Sequence, residues 1–422
     1  MSQDSGVFIT GLGAMTALGN NVDDTWNNIL DGQSGIGEVS QWDLSEFPFS
    51  KGAEVRSYRA RDLVKDRKLL KMISRFEALG LGAATQAVEQ SKMTEYRDGL
   101  ECANDFNDST GVYVASPGNK YFQQYDFMPL LSKANKDMTV FADHLFEEVH
   151  PMWLLKTLPN NVLAYTGIQH GFKGPNQNIT NHVVGGMQAL IEAYYAIQSG
   201  QADRAIVVAY DVGFEPQAQR YYGQLGILSN EALRPFDTKH NGTILGEGAA
   251  AIVLESGAAC KARGARKMAQ VLAGKTTGDA QGIFSVDDNA EGLKALITQL
   301  CESAGCERSD IGMLTAHANG NRKSDITESI AYNELLKDTP ITGFKWALGH
   351  TLCASGLLDA VMTTKSLEQG IVPGITTFDS LATSCRNIDV SNASRSLNQP
   401  LAMVMNRGFG GLNSAVILKA CE

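Results

Sequence analysis

The stretch Gly174-Pro-Asn-Gln-Asn-Ile-Thr-Asn-His-Val-Val-Gly-Gly186 predicts a short strand, a sharp turn and the start of a helix that runs through residues 187–199. Enzymes often place a nucleophile at such a junction, because the turn exposes its side chain. The helix N-terminus adds unpaired N–H groups and the positive end of the helix dipole, which stabilise an anion. Position 183, in the turn, is a valine, which has neither a proton to lose nor a lone pair to attack with. The sequence therefore indicates the framework of an active site without its nucleophile.

Short apolar runs alternate with amphipathic stretches along the chain, a pattern typical of a layered α/β fold. The order of elements restarts near residue 260, which favours two halves, residues 1–260 and 261–422, within one body. We expect strands at residues 7–10, 111–115, 205–209, 247–255, 268–274, 313–317, 400–405 and 415–418, and helices at residues 23–31, 76–91 and 292–304.

Composition narrows the range of partners and locations. The net charge of −10 argues against nucleic acid as a partner. No apolar run approaches the ~20 residues that span a bilayer, and the N-terminus lacks the features of a secretory signal. The seven cysteines contain no CxxC pair, so we expect neither a metal centre nor a disulfide framework, and no cofactor is indicated. We expect a cytoplasmic protein without membrane insertion.

A basic segment at residues 59–75 runs against this acidic balance. It concentrates seven cations against two aspartates, and Arg67, Lys68 and Lys71 lie at its centre. Such a local excess of positive charge can steer an acidic protein partner. The spacing is equally compatible with a solvated helix face.

Four further glycine-rich or histidine-bearing segments stand in a fixed order. Each is weak alone, because glycine-rich turns often only satisfy tight backbone geometry. The segments are Leu233-Arg-Pro-Phe-Asp237 with Gly246-Glu-Gly248, Ala316-His-Ala-Asn-Gly-Asn321, Lys345-Trp-Ala-Leu-Gly-His350 with Cys353, and Gly408-Phe-Gly-Gly411.

Together with the opening Val7-Phe-Ile-Thr-Gly-Leu-Gly-Ala-Met-Thr-Ala-Leu-Gly19, these segments resemble the β-ketoacyl-acyl carrier protein synthases of the thiolase superfamily, over essentially the whole chain. The resemblance implies a thiolase-like α/β fold of five layers, αβαβα, built from two pseudo-repeated halves and assembled as a dimer. In this family a cysteine accepts an acyl chain from acyl carrier protein, and two histidines and a lysine support decarboxylation of a malonyl group.

By this resemblance Val183 stands at the cysteine position, His317 and His350 at the histidine positions, and Lys345 at the lysine position. Two imidazoles can donate hydrogen bonds to a thioester carbonyl as enolate charge develops. The backbone N–H groups of Val183 and Phe409 would form the oxyanion hole, which places Phe409 at the gate of the site.

The chain also departs from the family around the missing nucleophile. Asn181, His182 and Val184 stand where small residues and Ser or Thr are usual, and His182 would obstruct the acyl pocket. The usual His-Gly-Thr-x-Thr has become His-Ala-Asn-Gly-Asn, and Arg407 replaces an aromatic residue. Cys353 follows His350 by three residues, so a helix would bring it to the histidine's face; we interpret it as a packed thiol rather than a relocated nucleophile.

A subunit of this family without a nucleophile resembles the chain-length factor, which pairs with an active ketosynthase and shapes the tunnel for the growing chain. This is the leading hypothesis, for a type II polyketide, polyene or fatty-acid-like pathway. Bulky residues would limit chain length, with ordinary packing as the alternative reading; they are Tyr121, Phe122, Tyr125 and Phe127. Two other hypotheses remain open: decarboxylation of malonyl-acyl carrier protein by the retained histidines and lysine, and non-catalytic binding of acyl carrier protein.

Overall fold

The computed structural model describes residues 6–421 except 65 and 119, and side chains of these residues except 121–123. The strands are β1 Val7–Met15, β2 Ile36–Glu38, β3 Lys51–Ala53, β4 Thr110–Ala115, β5 Asn176–Ile179, β6 Arg204–Val212, β7 Glu247–Ser256, β8 Ala269–Gly278, β9 Ile311–Thr315, β10 Ile341–Thr342, β11 Ile371–Val372, β12 Arg395–Ser396, β13 Leu401–Gly408 and β14 Leu412–Ala420.

The α-helices are α1 Val22–Leu30, α2 Ala60–Leu63, α3 Arg75–Ser91, α4 Met93–Asp98, α5 Asn104–Asp108, α6 Met128–Ala134, α7 Met138–Glu148, α8 Trp153–Lys156, α9 Asn161–His170, α10 Gly185–Gln198, α11 Pro216–Gln224, α12 Gly257–Arg263, α13 Glu291–Ala304, α14 Arg322–Leu335, α15 Lys345–Leu348 and α16 Ser355–Gln369. Short 3₁₀ helices occur at Leu69–Lys71, Tyr121–Phe127, His182–Val184, Arg308–Asp310 and Leu352–Ala354.

The main sheet shows the repeat that the element order predicts. Its strand order is β10-β9-β13-β14-β8-β1-β7-β6-β4-β5. Counted from each edge, the two sets of five strands have the same order, because β10-β9-β13-β14-β8 matches β5-β4-β6-β7-β1. The pairing directions also match, since β4 is parallel to β5 and β6, and β9 is parallel to β10 and β13. The sets meet where β1 pairs antiparallel with β8. The boundary at residue 260 itself stays a prediction.

Helices α10 and α16 lie between the two sets of strands. Helix α10 contacts β4 and β6 of the first set and β8 and β14 of the second, while α16 contacts β7 and β13. Both helices are buried over most of their surface, as expected for helices enclosed on two sides. Helix α3 covers the outside of the first set and α13 that of the second. This arrangement confirms the expected α/β fold of five layers.

The first strand is longer than the sequence predicts. The sequence predicts that it ends at residue 10, but β1 continues to Met15. A Cβ on Gly11 would lie 2.2 Å from the carbonyl oxygen of Ala87, and one on Gly13 would lie 2.0 Å from that of Ala83. These glycines therefore allow helix α3 to pack directly on the strand, and they do not form a turn.

Strand β9 is shorter at its C-terminal end than the predicted 313–317, and it ends at Thr315. His317 consequently lies in the loop beyond the carboxyl end of β9, while Lys345 lies beyond the end of the adjacent parallel strand β10. The carboxyl ends of neighbouring parallel strands meet at one sheet edge, which is where α/β proteins form their sites.

The contact between β1 and α3 provides a test of the fold. Gly13→Ala should lower the free energy of unfolding by about 3 kcal/mol, because the added methyl group meets a backbone carbonyl that cannot move aside. Gly37→Ala is the matched control, since its Cβ would meet only a side-chain nitrogen of Arg56 at 3.9 Å. Urea unfolding midpoints check the difference; equal midpoints for the two variants would contradict the packing argument.

Candidate active site

The junction around Val183 has a counterpart in the second half of the chain. After β5, the 3₁₀ turn His182–Val184 leads into α10, and the 3₁₀ turn Leu352–Ala354 leads in the same way into α16. Each turn begins with a left-handed residue, His182 with φ +48° and Leu352 with φ +43°. Val183 and Cys353 are therefore equivalent middle residues of two similar turns.

His317 and His350 lie side by side, with ring centroids 5.3 Å apart and ring planes at 75°. A backbone N–H contacts Nδ1 of each ring: that of Arg407 at 3.4 Å from His317, and that of Leu352 at 3.1 Å from His350. A neutral imidazole that accepts at Nδ1 carries its proton on Nε2. Both rings can therefore donate from Nε2.

The surroundings keep both histidines neutral. Burial lowers the pKa of His317 and of His350 well below the usual value, and the positive charge of Lys345 acts in the same direction. A neutral ring adds no charge to the site, but it still provides a hydrogen-bond donor for a developing oxyanion.

Lys345 lies at the start of α15 and is itself buried. Its Nζ lies 2.7 Å from Oδ2 of Asp359 in α16, and both side chains are 2% exposed. Burial raises the pKa of Asp359, while the ion pair with Lys345 opposes this shift. Asp359 belongs to none of the sequence motifs; its position in α16, four residues after Ser355, is the one signal in the sequence that points to it.

A cavity of 140 Å³ lies in front of Val183. The cavity is lined by the two histidines, by several apolar side chains and by several polar side chains. The side chains that define it include Val183, His317 and His350, apolar Ile283, Phe284 and Phe409, and polar Asn319, Asn321, Lys323 and Ser324. Lys345 does not belong to this lining, so its charge acts on the histidines from outside the cavity.

The loop that contains Phe409 covers Val183. A Cβ on Gly408 would lie 3.4 Å from Cβ of Val183, so the two backbones are in close contact. The ring of Phe409 stacks on His182 at 5.3 Å and meets Phe284 edge-on at 5.3 Å. Tyr222 completes the group, because its hydroxyl lies 2.8 Å from Nε2 of His182. This aromatic cluster narrows the access to position 183.

The side chain of Arg407, at a position where the resemblance implies an aromatic residue, is buried in a polar network. Its Nε donates to Oδ1 of Asn413 at 2.9 Å, and one terminal nitrogen donates to Thr327 at 2.8 Å. A second terminal nitrogen lies 3.8 Å from a carboxylate oxygen of Asp279. The guanidinium is thus satisfied inside the protein, while the backbone N–H of the same residue orients His317.

Other residues from the sequence analysis lie away from the cavity. Arg67, Lys68 and Lys71 are exposed, and none of them lines it. Tyr125 and Phe127 are half-buried and also lie outside the lining, and Phe127 meets Trp153 edge-on at 4.6 Å. Tyr121 and Phe122 have side chains outside the described part of the structure.

The expectation that a helix brings Cys353 to the face of His350 is wrong. His350 precedes the 3₁₀ turn that contains Cys353, and the Cys353 side chain does not line the cavity. Burial raises the pKa of its thiol well above the usual value, so the reactive thiolate is disfavoured. These properties agree with the interpretation of Cys353 as a packed thiol.

Within the described residues, no group of three or more His, Cys, Asp or Glu side chains could hold a metal ion. In the same part of the chain, every helix is too short or too polar to cross a membrane.

Comparisons with known proteins agree with this geometry. Residues 4–259 match the description Beta-ketoacyl synthase, N-terminal domain, and residues 268–379 match Beta-ketoacyl synthase, C-terminal domain. The chain is 28% identical to the 3-oxoacyl-acyl-carrier-protein synthase 2 of Staphylococcus aureus (strain N315) over 435 residues, which cover 100% of both chains.

Two solved structures share the fold over nearly the whole length. The ishigamide ketosynthase/chain length factor has a TM-score of 0.87 and 23% identity, and the match covers 99% of this chain and 100% of the other. The ketosynthase ApeO in complex with its chain length factor ApeC from Xenorhabdus doucetiae has a TM-score of 0.81 and 21% identity, with 100% and 99% covered. From the motifs, the layered fold and the matched residues we conclude that the chain belongs to the β-ketoacyl synthase family.

Proposed function

We propose that this protein is a non-elongating, ketosynthase-like subunit of the chain-length-factor kind. It pairs with an active ketosynthase and shapes the acyl tunnel in a type II polyketide, polyene or fatty-acid-like pathway. The observation that carries the proposal is Val183, which occupies the turn at the head of α10. The resemblance to the family implies a cysteine at this position. A valine cannot form an acyl thioester, so the condensing step requires a nucleophile from another subunit.

The fold neighbours support a paired assembly. ApeO is described in complex with its chain length factor ApeC, and another neighbour is described as the ishigamide ketosynthase/chain length factor. A subunit of the same fold that lacks the nucleophile fits the second member of such a pair.

An exposed apolar surface on the helices between β4 and β5 offers an interface for that partner. Eight of the 13 large apolar side chains exposed in the described residues lie between residues 128 and 168. The eight, which we call the apolar face, are Met128, Leu131, Met138, Phe146, Met152, Leu154, Leu155 and Ile168. A concentration of exposed apolar side chains is expected at an interaction site of a soluble protein.

One edge of the main sheet is also exposed, and the strand that forms it follows the apolar face in the sequence. Strand β5 ends the sheet, and Asn176 and Gln177 in it are exposed. An uncovered edge strand presents unpaired N–H and C=O groups that a strand of another subunit can pair with. In the proposed pair, the segment with Tyr125 and Phe127 would contribute bulk that limits the length of the chain.

Co-expression with a ketosynthase encoded in the neighbouring reading frame should yield a heterodimer. Phe146→Glu should weaken the pairing by about tenfold or more, because it places a charge in a desolvated contact. Phe146 is 75% exposed, so the folded chain itself loses little packing. Size-exclusion chromatography and a titration of the purified subunits measure the effect.

Leu225→Glu is the matched control, since Leu225 is 42% exposed and lies outside the apolar face. It should leave the pairing unchanged. If the chain is isolated only as a monomer or as a self-sufficient homodimer when the ketosynthase is present, the result contradicts the proposed pairing.

A second function, decarboxylation of malonyl-acyl carrier protein, is favoured by the two Nε2 donors. In this reaction the bond between the carboxylate and the α-carbon breaks, carbon dioxide leaves, and the electron pair moves to the thioester oxygen. Nε2–H groups of His317 and His350 would stabilise that enolate oxygen. A solvent proton then adds to the α-carbon and gives the acetyl thioester, without any need for a nucleophile at position 183.

If this reaction occurs, His317→Ala and His350→Ala should each lower the release of carbon dioxide about 100-fold, because each removes a donor to the enolate. The rate should stay flat between pH 8 and pH 6, since the lowered pKa values keep both rings neutral across that range. His144→Ala, outside the cavity, is the control. Labelled carbon dioxide and the acetyl product are measured together, and no release above background would exclude the activity.

Docking of acyl carrier protein is a further part of the proposal. Arg67, Lys68 and Lys71 are exposed, and none of them forms a salt bridge with another described residue. Cations without partners are suited to the acidic surface of a carrier protein.

Lys68→Glu with Lys71→Glu should weaken carrier binding about tenfold at low salt, and the difference should shrink as salt rises. The control, Lys239→Glu with Lys337→Glu, changes the net charge equally at two exposed lysines elsewhere. Fluorescence anisotropy of labelled carrier protein measures both. Equal affinities for the two double variants would show that Arg67, Lys68 and Lys71 do not form the binding site for carrier protein.

A further inference from the structure

A buried ion pair lies next to the site but outside the lining of its cavity. Nζ of Lys120 is 2.6 Å from Oδ1 of Asp211 and 3.0 Å from the carbonyl oxygen of Val212. The two side chains are 11% and 3% exposed. Neither residue lines the cavity, although the adjacent His182 and Val183 do.

Asp211 connects this pair to the second turn of the site. Its Oδ2 accepts the backbone N–H of Cys353 at 3.1 Å, and its Oδ1 accepts the N–H of Val212 at 2.7 Å. With Lys120 as the third partner, the carboxylate has little capacity left for a ligand. Through these hydrogen bonds, the carboxylate connects β6 to the turn before α16.

The pair also lies close to the residues just around position 183. The Sγ of Cys353 is 3.0 Å from where a Cβ on Gly185 would stand. Burial lowers the pKa of His182, and the charges of Asp211 and Lys120 act on the same ring in opposite directions. The ion pair is thus adjacent to the turn that contains Cys353, and it lies outside the lining of the cavity.

We infer that the Lys120–Asp211 pair is the floor of the site and limits the acyl group of any thioester that enters it to a few carbons. A longer acyl chain passing residue 183 would have to displace the lysine or separate the two charges. Either change leaves a buried charge without its partner, which is strongly unfavourable. The floor deepens the proposed function and rests on it in one respect. If the protein pairs with a ketosynthase, a growing chain would have to lie in the partner's part of the tunnel.

The test introduces a thiol by Val183→Cys and offers N-acetylcysteamine thioesters of acetyl, butyryl, hexanoyl and octanoyl groups. The introduced thiolate attacks the thioester carbonyl and forms a new C–S bond. The original C–S bond breaks, and N-acetylcysteamine leaves with the proton that the protein thiol gave up. Intact-mass and peptide-mass spectrometry measure acylation at position 183, with the unsubstituted chain as the blank for the native cysteines.

In V183C, acylation should fall at least about tenfold from acetyl to octanoyl, because the floor excludes the longer chain. Lys120→Ala with Asp211→Asn, added to V183C, should reduce this difference to about threefold or less. Asparagine retains an acceptor for the N–H of Cys353. Lys294→Ala with Glu334→Gln is the control, since it removes an ion pair of 2.6 Å in the other half and should leave the tenfold difference.

Equal acylation of V183C by acetyl and octanoyl groups would overturn the inference, and so would an unchanged preference after the floor is removed. Absence of acetylation in V183C would also count against it, because the cavity would then not reach residue 183. If the alanine variant does not fold, Lys120→Met with Asp211→Asn replaces it and should show the same direction. The labelling uses the full chain without a ketosynthase, so a failure of the pairing would leave its outcome unchanged.

Discussion

The close approach of two turns at the centre of the molecule is the constraint on which the site depends. A Cβ on Gly186 would lie 2.6 Å from the carbonyl oxygen of Cys353, so only glycine allows α10 to start against the turn before α16. This contact places Val183 within the same small volume as His350, which stands just before the second turn. Because each turn belongs to one half of the repeat, the site exists only where the halves meet.

The two sides of this junction differ in chemistry. On the cavity side, backbone N–H groups fix Nδ1 of His317 and His350, so both rings present Nε2–H without a charge. Outside the lining of the cavity, Lys120 and Asp211 form an ion pair that is almost excluded from solvent. The two histidines can stabilise a carbonyl oxygen that gains negative charge, whereas contact with the buried ion pair is unfavourable for an apolar chain.

Much of the fold could be predicted from the sequence because it depends on local patterns. The apolar runs marked strands such as β6 and β7 within three residues at each end, and the restart near residue 260 indicated the repeat. The extent of β1 could not be predicted, because its glycines are required by the close packing of helix α3, which lies about 70 residues away in the chain. The motifs located His317, Lys345 and His350, but Lys120, Asp211 and Asp359 carry no motif. Their partners are set by tertiary contacts only.

The structure also changes what the valine implies. If Val183 were the only departure from the family pattern, a thiol at that position should be enough to restore elongation of an acyl chain. The surrounding side chains argue otherwise, because His182 is held by Tyr222 and stacked on Phe409 in front of the turn. The floor that we infer from Lys120 and Asp211 would close the space behind position 183. The space in front of position 183 is thus crowded, while Nε2 of both histidines can still donate to a carbonyl oxygen. This division fits the proposed subunit that works beside an active ketosynthase.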